Sequence, residues 1–218
     1  MGGDDHGEAY DEHHAVRHVS EPLDISNWHI FSNYAQRNKH NTPANKNDET
    51  VISDDRIVLS WDIALSEAET GDYSAYVVLL IRGEVFYILK VVRGRFPFDA
   101  LKRKVMEVKQ RYGSSTLLIE DSPISRGLIQ SLREQSINVT NYKPETDKRA
   151  RVIAQSDLFA GGSVRFPQRA GWLEEFTAEL LAFPGRHDDQ VDALTQSLAW
   201  GRYMWGRKVS VGFVRGMI

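Results

Sequence analysis

Residues 56–92 read RIVLSWDIALSEAETGDYSAYVVLLIRGEVFYILKVV, and this stretch decides the fold. It contains three runs rich in the β-branched and aromatic residues that favour strands, at 57–63, 74–81 and 84–92. Arg82 and Gly83 lie between the last two runs and predict a tight turn. The stretch therefore predicts three consecutive antiparallel strands.

Helical and strand patterns alternate after these strands. Apolar residues recur at helical spacing over 98–112, and Gly113 follows as a stop signal. Further strands are predicted at 116–120, 139–142 and 164–166. Further helices are predicted at 125–135, 148–159, 172–183 and 190–203. This order predicts an α/β protein with an RNase H-like fold, in which helices flank a central mixed five-stranded sheet.

The two ends of the chain differ from this region in composition. Residues 1–52 are rich in His, Asp, Asn and Glu, which predicts a flexible polar N-terminal arm. Residues 28–34 could dock on the domain or on another module, although a short surface turn is the simpler interpretation. Residues 53–205 form the predicted domain, and residues 206–218 form a predicted C-terminal tail.

Composition limits the class of protein and the kind of metal site. The chain of 218 residues has no cysteine, which excludes disulfides and thiolate metal sites and favours Mg²⁺ or Mn²⁺ over structural zinc. The longest apolar run, 76–81, is too short to span a membrane, so we expect a cytoplasmic protein. The net charge of −3 argues against nonspecific coating of nucleic acid, so any contact with DNA should be local.

Two predicted strands end in a carboxylate. Asp62 ends the first strand, and Glu120 directly follows the apolar residues Leu117, Leu118 and Ile119. A carboxylate beside a buried strand is costly unless it is hydrogen-bonded or bound to a cation. Each residue has a structural alternative, because Asp62 could cap a turn and Glu120 could cap the helix that follows.

The segment HDDQVDAL at 187–194 opens a predicted helix and supplies more carboxylates. Asp189 and Asp192 are three residues apart and therefore share one helix face. Asp188 and Asp189 could simply cap the helix N-terminus, but that alternative does not account for Asp192 among apolar neighbours. Carboxylates from two strands and one helix are what a two-metal phosphodiester hydrolase requires.

Together these motifs resemble the C-terminal nuclease domain of phage terminase large subunits. The resemblance covers residues 56–203 and rests on segments 60–62, 71–74, 119–121, 148–151, 162–167, 183–184 and 187–194. It implies that the catalytic residues Asp62, Glu120 and Asp192 bind two Mg²⁺ or Mn²⁺ ions, with Asp188 or Asp189 assisting.

The resemblance also places basic residues near the acidic site. It implies that Lys148, Arg149 and Arg151 contact DNA phosphates, whose charge must be neutralised beside a carboxylate cluster. The basic residues over 102–111 are interpreted instead as an ordinary solvated helix face.

The expected function is cleavage of double-stranded DNA during viral packaging, with a terminase ATPase motor, a small terminase subunit and a portal as partners. The sequence has no Gly-x-x-x-x-Gly-Lys-Ser/Thr loop, so we expect that the chain does not translocate DNA by itself. The sequence leaves open whether the chain is an isolated domain, one half of a split gene or a prophage remnant. The alternatives are another RNase H-like nuclease, such as a Holliday-junction resolvase or a transposase core, and a catalytically idle docking module.

Overall fold

The computed structural model describes residues 28–30, 55–64, 72–185 and 187–215 of the chain. Within these ranges, seven strands form one mixed sheet: β1 (Trp28–Ile30), β2 (Arg56–Asp62), β3 (Ser74–Arg82), β4 (Val85–Gly94), β5 (Thr116–Glu120), β6 (Thr140–Tyr142) and β7 (Val164–Pro167). Their order across the sheet is β1-β7-β4-β3-β2-β5-β6. The predicted core of five strands is therefore extended at one side by β7 and β1.

Strands β2, β3 and β4 form the predicted antiparallel meander. Asp62 pairs with Ala75 at one end of the β2–β3 ladder, and Gly83 takes a positive φ of 57° in the turn between β3 and β4. Strand β5 runs parallel to β2, with Trp61 opposite Ile119. Because parallel strands end at the same edge of a sheet, the final residues of β2 and β5 lie side by side.

Helices cover both faces of the sheet. They are α1 (Phe98–Arg111), α2 (Ser125–Arg133), α3 (Lys148–Ile153), α4 (Ser156–Ala160), α5 (Leu173–Ala182) and α6 (Asp189–Arg215). Successive β2 side chains point to opposite faces, so Leu59 joins a buried cluster with residues of α1 and α2. Val58 joins a second cluster with residues of α5 and α6. The result is a three-layer α/β/α arrangement with two cores.

Helix α6 approaches the sheet closely. At Gly201 a Cβ atom would lie 2.8 Å from Phe86 Cε1 and 2.9 Å from Ile81 Cδ1, so a glycine is required for this contact. The close packing fixes α6 against β3 and β4. It also places the first turn of α6 near the edge where β2 and β5 end, as the hydrogen bond from Gln196 Nε2 to the Trp61 carbonyl indicates.

The structure differs from the sequence predictions at three places. The prediction of a single helix over 148–159 is wrong, because this segment forms two helices, α3 and α4. The Ser156 hydroxyl donates a 2.7 Å hydrogen bond to the Ile153 carbonyl, and this bond competes with the backbone hydrogen bonds of a continuous helix. Strand β1 lies inside the predicted arm and pairs antiparallel with β7, while the remainder of residues 1–52 lies outside the described residues. Helix α6 continues to Arg215, into the predicted tail.

None of the helices in the described part of the chain is both long enough and apolar enough to cross a membrane.

Candidate metal centre

Two carboxylates lie together at the edge where β2 and β5 end. Asp62 is partly buried, and burial together with the negative charges of Asp192, Glu120 and Asp189 raises its pKa to about 8. Burial also raises the pKa of Glu120, to which Asp192 adds, while Arg151 opposes the shift. The negative charges of these acids therefore act on one another, which disfavours ionisation of Asp62 and Glu120.

Asp192 enters this cluster from the first turn of α6 and is held there by two cations from α3. Arg151 Nη2 donates a 2.7 Å hydrogen bond to Asp192 Oδ1 and lies 4.0 Å from Glu120 Oε2. Lys148 Nζ lies 2.5 Å from Asp192 Oδ2 and forms an ion pair with it. Asp192 is therefore neutralised at both oxygens.

Lys148 also reaches a second carboxylate. Its Nζ lies 2.9 Å from Asp188 Oδ1. Burial disfavours the charged ammonium, but the bonds to Asp192 and Asp188 outweigh it and raise the pKa of Lys148. Asp189 is partly buried, and burial, Glu179 and Asp188 raise its pKa. Asp188 is therefore linked to Asp192 through Lys148, and Asp189 is close enough to contribute to the raised pKa of Asp62.

The carboxylates do not form a closed ligand set in this arrangement. Among the residues that the structure describes, no three His, Asp or Glu side chains are grouped closely enough to hold a metal ion. Both oxygens of Asp192 are instead in contact with cations, Oδ1 with Arg151 and Oδ2 with Lys148. The assignment of Asp62, Glu120, Asp188, Asp189 and Asp192 as metal ligands stays a prediction.

The three basic residues expected to contact DNA face different surroundings. Lys148 and Arg151 are three residues apart on α3 and share the helix face that meets α6. Arg151 is buried against Asp192, whereas Arg149 is exposed. Arg151 therefore contacts the acidic cluster, whereas Arg149 is accessible to a phosphate.

Sequence reasoning missed Glu179, a buried acid on α5. Its Oε1 accepts a 2.8 Å hydrogen bond from the backbone N–H of Gln190 and a 3.3 Å bond from that of Val191. Its Oε2 accepts bonds from Gln190 Nε2 at 2.6 Å and from Arg93 Nη1 at 3.0 Å. Glu179 therefore caps α6, a role that the sequence analysis had offered to Asp188 and Asp189.

A family comparison covers the whole of this site. The model of the terminase RNaseH-like domain matches residues 59–199, which is more than half of the chain. The chain belongs to the terminase RNaseH-like domain family. The matched range contains the ends of β2 and β5 and the first turn of α6, so the resemblance inferred from the motifs is confirmed. Curated protein sequences give no match to this terminase domain.

Several solved structures resemble this terminase domain. The large terminase nuclease from thermophilic phage G20c with bound zinc is 19% identical, with a TM-score of 0.54 over 67% of this chain and 81% of that chain. The same nuclease with bound magnesium is 19% identical, with a TM-score of 0.53 over 66% and 80%. The Thermus phage P74-26 large terminase nuclease domain is 20% identical, with a TM-score of 0.50 over 66% and 78%. These likenesses confirm the predicted RNase H-like fold.

Proposed function

We propose that this terminase domain is a metal-dependent endonuclease that cuts double-stranded DNA by two-metal-ion hydrolysis of phosphodiesters. The observation that carries the proposal is the convergence of carboxylates from β2, β5 and α6, which is close enough for Asp192 and Glu120 to raise the pKa of Asp62. Structural caps scattered over separate turns would not interact in this way. Mutually repelling carboxylates are instead the starting state of a site that is completed by cations.

The side chains present fit divalent cations in their chemistry. Carboxylate oxygens are the donors that Mg²⁺ and Mn²⁺ prefer, and Asp62, Glu120 and Asp192 would hold the ions with assistance from Asp188 or Asp189. Bound divalent ions would lower the pKa of an attacking water and stabilise the leaving oxygen. The structures of the G20c nuclease with bound magnesium and with bound zinc support a divalent cation as the cofactor.

The cations from α3 have distinct roles in this proposal. Arg151 is buried and holds Asp192 by a 2.7 Å hydrogen bond, and the same nitrogen lies 4.0 Å from Glu120 Oε2, so Arg151 would keep the two carboxylates near each other. The Lys148 side chain is 51% exposed and can withdraw from Asp192 toward solvent or toward a DNA phosphate. Arg149, on the exposed side of the same helix turn, would neutralise a phosphate directly.

The place of the domain in a packaging machine rests on family membership. A terminase nuclease would act together with an ATPase motor, a small terminase subunit and a portal, and we propose these as partners. The phage origin of the similar G20c and P74-26 nucleases supports the proposal.

One observation favours a second candidate, a catalytically idle docking module. Lys148 and Arg151 contact both oxygens of Asp192, so two cations of the chain itself can neutralise this carboxylate. A domain that retained its acids only by descent could keep this arrangement permanently. The two functions differ in whether Mn²⁺ can replace Lys148.

Cleavage of supercoiled plasmid with and without Mn²⁺ tests the proposal, with Glu120→Gln as the matched variant. A metal-dependent endonuclease converts the plasmid to nicked and linear forms only with Mn²⁺, and Glu120→Gln does not. No conversion by the wild-type protein would favour the docking module. Cleavage of four-way junctions without cleavage of linear duplex would instead favour a resolvase-like nuclease.

A further inference from the structure

The start of α6 is held by a side chain from another helix. The first backbone N–H groups of a helix have no partner within the helix and need an acceptor from elsewhere. At α6 the acceptor is Glu179 Oε1, which receives the N–H groups of Gln190 at 2.8 Å and Val191 at 3.3 Å. The Glu179 carboxylate is buried, and a negative charge at a helix N-terminus is stabilising.

Glu179 is in turn fixed to the sheet through Arg93, which lies on β4. Arg93 Nη1 donates a 3.0 Å hydrogen bond to Glu179 Oε2, and its guanidinium lies 4.6 Å from the centroid of the Tyr73 ring. This pairing offsets the cost of burying a carboxylate. Arg93 also pairs with Glu175, one turn earlier on α5, but Glu175 is exposed and has no hydrogen bond to α6 among the described residues.

Because Glu179 caps α6, the aspartates at the start of this helix can contact other groups. Asp188 and Asp192 direct their carboxylates to Lys148 and Arg151, and the N–H groups that Asp188 could have capped are bound by Glu179. Gln190 adds a side-chain bond of 2.6 Å to Glu179 Oε2, which fixes the rotation of the first helical turn. Asp192 lies on this same turn.

We propose that Glu179 is a positioning residue of the acidic site, which fixes the start of α6 and so holds Asp192 and Asp189 opposite Asp62 and Glu120. The proposal rests on the proposed nuclease function. It assigns Glu179 no contact with DNA and no ligand role. Its effect is transmitted through the backbone of Gln190 and Val191.

The test compares Glu179→Ala and Glu179→Gln with the control Glu175→Gln, which breaks an Arg93 ion pair without touching α6. Mn²⁺ affinity is measured by titration calorimetry, and amide hydrogen exchange at Gln190 and Val191 is measured in metal-free protein. We expect Glu179→Ala to weaken Mn²⁺ binding about 10-fold to 100-fold, as loss of an orienting partner does. Exchange at both amides should accelerate, while Glu175→Gln should match wild type in both measurements.

Glu179→Gln adds a rescue test. Its amide oxygen can still accept from both backbone N–H groups, so its Mn²⁺ affinity should lie between those of wild type and Glu179→Ala. In cleavage, kcat should fall while KM for DNA stays near the wild-type value. If Glu179→Ala does not fold, Glu179→Gln decides, and wild-type Mn²⁺ affinity despite faster exchange at Gln190 and Val191 in that variant would overturn the proposal.

Failure of the proposed function has a different signature. Wild-type protein that neither binds Mn²⁺ nor cuts plasmid would reject the nuclease and the positioning of its site together. If wild-type protein binds Mn²⁺ and cuts plasmid, and a folded Glu179→Ala variant does both equally well, only the role of Glu179 is rejected.

Discussion

Arg151 and Asp192 form a buried ion pair, with side chains 8% and 3% exposed and a hydrogen bond of 2.7 Å between Nη2 and Oδ1. Without Arg151, the buried Asp192 keeps only the half-exposed Lys148 as a counter-charge. We therefore expect Arg151→Met to lower the free energy of unfolding by about 3 kcal/mol in metal-free buffer, measured by urea denaturation. The double variant Arg151→Met with Asp192→Asn removes both charges and should regain most of the loss. Wild-type stability in the single variant would show that Lys148 alone neutralises Asp192.

Lys148 should compete with metal for Asp192 and Asp188. Its ammonium lies 2.5 Å from Asp192 Oδ2 and 2.9 Å from Asp188 Oδ1, so an ion can use those oxygens only after Lys148 withdraws. A half-exposed ion pair contributes about 1 kcal/mol or less, so Lys148→Met should bind Mn²⁺ up to roughly fivefold more tightly in a calorimetric titration.

A charge-matched control separates this competition from a general effect of net charge. Lys143 is exposed and takes part in no ion pair within the described residues, so Lys143→Met should leave Mn²⁺ affinity unchanged. Equal changes in both variants would mean that long-range charge, and not displacement of Lys148, controls affinity.

The stability of the metal-free protein should depend on pH through Asp62. Its pKa is 3.8 ordinarily and is raised to about 8 in the folded protein, so the folded state binds more protons than the unfolded state between these values. Stability contributed by protonated Asp62 is complete below the lower value and is lost as pH rises through the upper one. Asp62→Asn lacks this contribution, so its melting temperature should rise relative to wild type from pH 5 to pH 8. If the difference in melting temperature between Asp62→Asn and wild type does not vary with pH, Asp62 does not interact with the other acids.

The strand carboxylates could be predicted from sequence because the signal is local. Asp62 and Glu120 each end an apolar run, and parallel pairing of β2 with β5 brings them together without further information. The resemblance placed the basic residues of α3 near the acidic site, but it did not predict that Lys148 and Arg151 pair directly with Asp192 of α6, more than 40 residues further along the chain. Their inward orientation depends on how the two helices pack.

Glu179 shows a second limit of sequence reasoning. With Glu175 one turn earlier, it resembles an ordinary polar helix face, and only the docking of α5 on α6 buries it. The break between α3 and α4 could not be predicted from the sequence either, since it depends on which carbonyl accepts the hydrogen bond of the Ser156 hydroxyl. The added strand β1 lies in a segment whose composition favours an arm.

Arg149 should contribute to DNA binding independently of the acidic cluster. It is exposed on the first turn of α3, beside Lys148 and on a different face of the helix. Each phosphate contact makes the negative slope of log K against log salt steeper by about 0.9. Arg149→Ala should therefore make the slope for a linear duplex shallower by about 0.9. Fluorescence anisotropy in EDTA measures this without cleavage. An unaltered slope would show that Arg149 faces away from the DNA.

The central claim is that Asp62, Glu120 and Asp192 form a metal centre, and the melting temperature in Mn²⁺ tests it most directly. A ligand at one hundred times its Kd stabilises the folded state by about 2.7 kcal/mol, which corresponds to a rise of several degrees for a domain of this size. Wild-type protein should therefore melt higher in millimolar Mn²⁺, while Asp62→Asn should be at least as stable as wild type without metal and respond less to Mn²⁺. A wild-type protein indifferent to Mn²⁺, together with an Asp62→Asn variant that melts well below it, would contradict the account and make Asp62 a structural cap.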